Sequence, residues 1–236
     1  KMSGGMMTAI MPRHFDQELD GLKQKLLVMA TTAEEAVQKS LTSVTTRNSD
    51  LAREFISDDI QLNNAELEIE EQAFRLLALR QPVATDLRLI IATMRIATIL
   101  ERIGDQGVNI AERAISLNQE PQLKPYIDIP KMAEIAQSMV KDVLDAFVKM
   151  DAQLARSVCE RDDQVDGLND QVFRELLTYM MADSKTITRS VHLIIVSRCL
   201  ERIADHATNI AEGVIFMVKA LVIKHNADVK GEKEGE

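Results

Sequence analysis

The sequence contains few aromatic residues, glycines and prolines. Aromatic residues make up 3% of the 236 residues, tryptophan is absent, and there are nine glycines and five prolines. Strands are enriched in aromatic residues and tight turns depend on glycine and proline, so this composition argues against an all-β protein. Alanine, leucine, isoleucine, glutamate and methionine are abundant instead, and most of these favour helix. We therefore expect long helices joined by few turns.

Cysteines and long apolar runs are also scarce, and acidic residues outnumber basic ones. The two cysteines are too few for a disulfide framework, which suits a reducing cytoplasm. No apolar run approaches the ~18 residues of a membrane span, and no segment has the pattern of a signal peptide. The net charge of −9 excludes a nucleic-acid-binding protein that relies on lysine and arginine to neutralise phosphates. We expect no membrane insertion and a cytoplasmic location.

One motif occurs twice. Leu-Glu-Arg-Ile-Gly-Asp at residues 100–105, followed by Asn-Ile-Ala-Glu at 109–112, returns 100 residues later with one substitution, Gly104 to Ala204. Earlier segments match at an offset of 103 residues. Under these offsets Cys159 and Cys199 correspond to isoleucines, which predicts that both are small core residues. The chain is therefore two copies of one unit.

Helical periodicity predicts three helices in each copy. Apolar residues recur every three or four positions, and Gln81-Pro82 ends the second helix, because proline disfavours a helical residue before it. The predicted fold is all-α, with two tandem pseudo-symmetric three-helix bundles built from six long antiparallel helices. The predicted helices span about 13–46, 51–79, 83–117, 131–150, 151–181 and 185–222.

A proline-containing stretch separates the copies. Residues 118–130 contain three of the five prolines and are the predicted linker, so the first repeat is 1–119 and the second is 120–236. Residues 1–5 are expected to be a cloning remnant, with the natural start near Met6 or Met7. The polar tail, 224–236, is expected to fray.

Each third helix carries a Glu-x-x-x-Asp pair, Glu101 with Asp105 and Glu201 with Asp205. Residues four apart share a helix face, and two like charges there cost a few tenths of a kcal/mol. A bound divalent cation explains why the pair occurs twice, and oxygen ligands favour iron, manganese or magnesium over zinc. Such a cation takes about six oxygens. Weaker candidates to complete the shell are Asp86, Asn109, Glu112, Asp162, Asp163, Asn209 and Glu212.

Two other interpretations remain open, and a third lacks its motif. Arg102 and Arg202 could neutralise the pairs as part of a solvated surface, or the acidic faces could meet a basic partner in a pure adaptor. A carboxylate-bridged di-iron enzyme needs Glu-x-x-His, which the chain lacks. No phosphate-binding loop, nucleophile elbow or zinc-protease motif is present. We therefore predict that the protein is not an enzyme.

The repeat resembles the PhoU family of phosphate-transport regulators. The similarity lies in the Leu-Glu-Arg-Ile-x-Asp-x-x-x-Asn-Ile helix that ends both copies and in Gln81-Pro82 and Asp86-Leu87-Arg88 before the first one. It extends from about Phe15 to Val222, nearly the whole chain.

This resemblance implies a cytoplasmic negative regulator of the phosphate-starvation response. Members link a phosphate ABC-transporter ATPase to a sensor histidine kinase, and a homodimer is expected. Some bind iron or other divalent metals through carboxylates that match Glu101, Asp105, Glu201 and Asp205. The second copy lacks a counterpart of Asp86, so its site is expected to be built differently.

Overall fold

The computed structural model describes residues 11–58 and 60–219, and within these ranges there is no strand. One 3₁₀ turn, Ser184–Thr186, precedes the last helix. No helix in this part of the chain is both long and apolar enough to cross a membrane. The helices are α1 (Met11–Thr45), α2 (Ser49–Asp58), α3 (Ile60–Arg80), α4 (Ala84–Asn118), α5 (Asp128–Lys149), α6 (Ala152–Cys159), α7 (Asp162–Ala182) and α8 (Ile187–Lys219).

The predicted fold, two three-helix repeats with no sheet, is confirmed. One predicted helix is wrong in detail, because a turn at Glu160-Arg161 divides the second helix of the second repeat into α6 and α7. The corresponding helix of the first repeat is described as α2 and α3, with residue 59 between them outside the described residues. The proposals for residues 1–5 and 224–236 also lie outside the described residues, and the repeat boundary at 119 and 120 stays a prediction.

Side-chain caps set two of the helix starts. Asn48 Oδ1 accepts hydrogen bonds from the backbone N–H groups of Asp50 and Leu51 at the start of α2. Asp151, the predicted cap, accepts from the N–H groups of Gln153 and Leu154 at the start of α6. Each cap satisfies N–H groups that have no partner within the helix.

The two repeats meet along α4 and α8. α4 packs against α1, α2 and α3 of its own repeat, α8 packs against α5, α6 and α7, and the two helices also pack against each other. The repeated apolar residues form the core at equivalent positions, since Leu100, Leu200, Ile103 and Ile203 are all 0% exposed. The repeated motif is therefore central to both bundles.

Close packing against α4 depends on one glycine. A Cβ at Gly107 would lie 3.3 Å from Cζ of Phe55 on α2 and 3.5 Å from the carbonyl oxygen of Ala36 on α1. A larger side chain would displace these neighbours. Gly107 thus holds α1 and α2 close to the helix that carries the first Glu-x-x-x-Asp pair.

The linker is shorter than predicted and is fixed by an arginine. α5 begins at Asp128, so Pro130 falls in its first turn, where proline is tolerated. Arg47 Nη2 donates to the carbonyl oxygens of Leu117, Asn118 and Glu120. These bonds join the carbonyl groups of the last residues of α4 to the start of the linker, where the helix leaves carbonyl groups without their full set of donors.

Candidate functional site

The interruption of the second helix positions a cluster of carboxylates in the second repeat. α7 begins at Asp162 directly after the turn, and α7 packs along α8. Asp162 and Asp166 lie one turn apart on α7, and Glu201 and Asp205 lie one turn apart on α8. The charges of Asp166 and Asp205 act on both Asp162 and Glu201 across the helix pair. These four residues form what we call the second acidic cluster.

Burial and mutual repulsion disfavour the ionised carboxylates in this cluster. Burial, with the charges of Asp166, Asp205 and Asp163, raises the pKa of Asp162 to about 6. The pKa of Asp166 is also raised, mainly by burial and then by Asp205. Burial, followed by Asp166 and Asp205, raises the pKa of Glu201. Ionising Asp162, Asp166 and Glu201 together therefore costs free energy that a bound cation would offset.

A short hydrogen-bond chain orients Glu201. Ser197 Oγ donates to Asn169 Oδ1 over 2.8 Å, and Asn169 Nδ2 donates to Glu201 Oε2 over 2.9 Å. Ser197 is fully buried on α8, while Asn169 lies on α7. The chain fixes one carboxylate oxygen of Glu201 at the α7–α8 interface.

The donor set of the second acidic cluster suits a hard cation. Asp162 Oδ1 and Thr208 Oγ1 are buried in this cluster, and Thr208 is only 8% exposed. A hydrogen bond between the two side chains opposes the rise in the Asp162 pKa but does not outweigh burial and repulsion. Within the described ranges, however, no group of three or more histidine, cysteine, aspartate or glutamate side chains is placed to hold a metal ion. Carboxylate and hydroxyl oxygens are the ligands that a hard cation prefers. To bind one, these side chains would have to move closer together.

The nearby arginines do not neutralise the repeated pairs. Neither Arg102 nor Arg202 forms an ion pair with a carboxylate among residues 11–58 and 60–219, and both side chains are exposed. Arg161, at the start of α7, instead reaches α5, where it pairs with Asp142 over 2.7 Å and donates to Ser138. Asp105 and Asp205 are both exposed, so each pair reaches solvent, and the Arg198 charge acts on Glu201.

The first repeat has a different set of residues beside its pair. Glu101 is half-buried and Asp105 is exposed on α4. At the 103-residue offset, Asn63 stands where the second repeat has Asp166, and Glu66 stands where it has Asn169. Asp59, the counterpart of Asp162, lies outside the described residues. The two sites are thus built from unlike residues on the second helix.

Most of the weaker candidates lie away from the pairs. Asp86 precedes Glu101 by 15 residues on the continuous helix α4, about 22 Å at 1.5 Å per residue. Asn109 Nδ2 donates to the Asp105 carbonyl oxygen, and Glu112 accepts from Arg113. Asp163 is exposed on α7. Asn209 and Glu212 line a groove between α4 and α8.

Asp166 and Asn169 were not among the site residues that the sequence predicted. The Asp162-x-x-x-Asp166 spacing on α7 is the same i,i+4 signal that identified the pairs on the third helices. The role of Asn169 had no such signal, because it depends on which face of α7 meets Glu201.

The comparison with known families agrees with this architecture. The family model described as the PhoU domain matches residues 26–114 and residues 129–214, one segment in each repeat. The chain belongs to the PhoU family. The resemblance based on the repeated motif is thereby confirmed, and the two matched segments contain both Glu-x-x-x-Asp pairs.

Relatives and solved structures cover nearly the whole chain. The phosphate-specific transport system accessory protein PhoU homolog of Aquifex aeolicus is 43% identical over 217 residues, which cover 92% of this chain and 98% of that protein. The homolog with the same description from Pseudomonas putida is 40% identical and covers 93% of this chain and 86% of that protein. The crystal structure of PhoU from Pseudomonas aeruginosa has a TM-score of 0.85 and 41% identity, covering 88% of this chain and 100% of that chain. The crystal structure of the phosphate transport system regulatory protein PhoU from Streptococcus pneumoniae has a TM-score of 0.84 and 30% identity. That match covers 89% of this chain and 99% of that chain.

Proposed function

We propose that this protein is a cytoplasmic accessory protein of phosphate transport that represses the phosphate-starvation response through protein contacts, without turning over a substrate. The observation that carries the proposal is the similarity to relatives named as accessory proteins of the phosphate-specific transport system, at 43% and 40% identity over more than nine-tenths of the chain. The partners we propose are the transporter ATPase and a sensor histidine kinase. We also propose that the protein acts as a homodimer.

We further propose that each acidic site binds a divalent metal, either iron, manganese or magnesium. Glu201 and Asp205 with Asp162 and Asp166 would hold it in the second repeat, and Glu101 with Asp105 in the first. The support is the set of three neighbouring carboxylates with raised pKa values, Asp162, Asp166 and Glu201. A bound cation would supply positive charge that neutralises the acidic surface and changes which partner surfaces can dock there.

Co-purification tests the proposed partners. The tagged protein, expressed at its natural level in phosphate-replete cells, should retain the transporter ATPase or the kinase, identified by mass spectrometry. A matched strain expressing the tag alone provides the background. Failure to recover either partner under both replete and starved conditions would contradict the adaptor role.

Calorimetric titration tests the metal sites. Metal-free protein should bind manganese, and Glu201→Gln with Asp205→Asn should remove the binding contributed by the second repeat while helix content stays unchanged. Glu101→Gln with Asp105→Asn should do the same for the first repeat. Asp16→Asn with Asp50→Asn, which removes two exposed carboxylates on α1 and α2, is the control. If the stoichiometry is the same in all these proteins, the site assignment is wrong.

A further inference from the structure

A groove runs between the two repeats, where the first half of α4 faces the last half of α8. We call it the inter-repeat groove. Its volume is about 390 Å³, within the range of small binding pockets. Ile91, Ile96, Ile99 and Phe216 provide apolar lining, and Ile91 is 37% exposed. The groove is therefore an apolar surface between the two helices that carry the acidic sites.

Pseudo-symmetry explains why this groove is open. At the 100-residue offset, Gly213 on α8 corresponds to Arg113 on α4, and Ala92 and Ile99 correspond to His192 and Cys199. In the counterpart region the Arg113 charge acts on both His192 and Cys199, and the Arg113 side chain is 30% exposed. A Cβ at Gly213 would meet no atom within 4 Å. The groove therefore has a glycine where the other repeat has a partly buried arginine side chain.

The groove carries positive charge on a strongly acidic protein. Arg88 and Arg95 line its α4 side, and they are seven residues apart, about 10.5 Å along the helix. Arg88 is fixed by donating to the carbonyl oxygen of Met217 and to Thr85. Arg95 is exposed and forms no hydrogen bond or ion pair with the residues that the structure describes. Glu212 lines the opposite wall and already takes part in another interaction.

We propose that the inter-repeat groove binds an amphipathic helix of a partner protein, one that places an apolar stripe on the groove floor and two acidic residues, seven positions apart, against Arg88 and Arg95. This rests on the proposed function, since it specifies where an adaptor holds a partner. Two charges one heptad apart with apolar residues between them match the repeat of a partner helix.

A designed peptide tests the groove directly. The probe is a fluorescently labelled alanine-based helix of about 18 residues, with leucines on one stripe and two flanking glutamates seven positions apart. Full-length protein should bind it with a Kd of about 50 µM or tighter in fluorescence anisotropy. Arg95→Glu reverses a charge at the groove, and Gly213→Arg fills the groove, so each should weaken binding at least tenfold. A peptide with lysines in place of the glutamates should also bind at least tenfold more weakly.

Two variants provide matched controls. Arg174→Glu makes the same charge reversal at an exposed position on α7, and Gly167→Arg makes the same helix substitution where a Cβ also meets no atom within 4 Å. Both should bind the acidic peptide within twofold of the wild type. Circular dichroism and thermal unfolding check that each variant is folded. If Gly213→Arg does not fold, Arg95→Glu alone still tests whether the groove binds the peptide.

The outcomes separate this inference from the proposed function. Equal binding of the two peptides, no binding to the wild type, or unchanged binding by Arg95→Glu overturns the inference. If sedimentation shows that the wild type is a dimer that Gly213→Arg converts to a monomer, and the peptide does not bind, the occupant is a second copy and the inference is wrong. If the wild type and both groove variants co-purify equally with the kinase or the ATPase, the proposed function stands without the groove. If the acidic peptide binds as expected but neither the kinase nor the ATPase co-purifies with the wild type, the inference about the groove is supported and the proposed function is wrong.

Discussion

Replacing Asp162 with asparagine should stabilise the metal-free protein at neutral pH. Burial and three neighbouring carboxylates raise the pKa of Asp162 from 3.8 to about 6. A shift of ~2 units corresponds to about 3 kcal/mol between protonation states. Because this carboxyl is only partly buried, solvent screening reduces the contribution to about 1 kcal/mol. Asp162→Asn should therefore raise the free energy of unfolding by about 1 kcal/mol at pH 8.

The sign follows from the raised pKa in the folded state. The stability contributed by Asp162 is fully present below pH 3.8, where the group is protonated in both states, and is lost as pH rises through about 6. The advantage of Asp162→Asn over the wild type should thus shrink towards zero as the pH falls to 4. Urea unfolding of protein dialysed against a chelator, at several pH values between 4 and 8, measures this change.

Asp163→Asn is the matched control, because Asp163 lies in the same first turn of α7 and is exposed. Both substitutions remove one negative charge near the helix N-terminus, where such a charge stabilises the helix. Because the Asp163 charge itself helps to raise the pKa of Asp162, the stability difference between the two variants gives a lower bound for the effect of the acidic cluster. Adding manganese should stabilise the wild type more than Asp162→Asn, because the variant lacks a ligand. Equal stability of the two variants from pH 4 to pH 8 would refute the argument.

Three further predictions concern the helix ends and the thiols. Asp151→Ala removes the α6 cap and should lower the free energy of unfolding by about 1 kcal/mol in urea titrations, whereas an unchanged midpoint would show that the cap contributes nothing. Arg47→Met removes a donor to the carbonyl oxygens of Leu117 and Asn118 at the end of α4 and of Glu120 in the linker, and should lower the free energy of unfolding by about 1–3 kcal/mol in the same assay, whereas an unchanged midpoint would show that these bonds contribute nothing. Burial raises the pKa of both Cys159 and Cys199 to about 11, so a disulfide reagent should label neither thiol in native protein at pH 8 and both in urea; rapid native labelling would contradict their burial.

Helical periodicity and the repeat were sufficient to predict the architecture. The apolar stripes of the third helices are the buried faces of α4 and α8, because those helices have neighbours along their whole length. The turn between α6 and α7 had no local signal, since Glu160 and Arg161 are neither glycine nor proline. Arg161 is held by Asp142 and Ser138 on α5, a tertiary contact that periodicity within one helix does not reveal.

The candidate site was predictable only on one helix at a time. The i,i+4 rule placed Glu201 and Asp205 on one face of α8. It could not show that Asp162 and Asp166 face them, because that depends on the register between α7 and α8. Asn169 illustrates the same limit, since its contact with Glu201 crosses between helices.

The most direct test of the central claim is expression of the phosphate-starvation genes in phosphate-rich medium. The strains are the wild type, a strain lacking this gene, and the deletion strain complemented with the intact gene. The account predicts high expression in the deletion strain and restored repression on complementation, with transcripts measured by quantitative reverse-transcription PCR. Normal repression in the deletion strain would contradict the account.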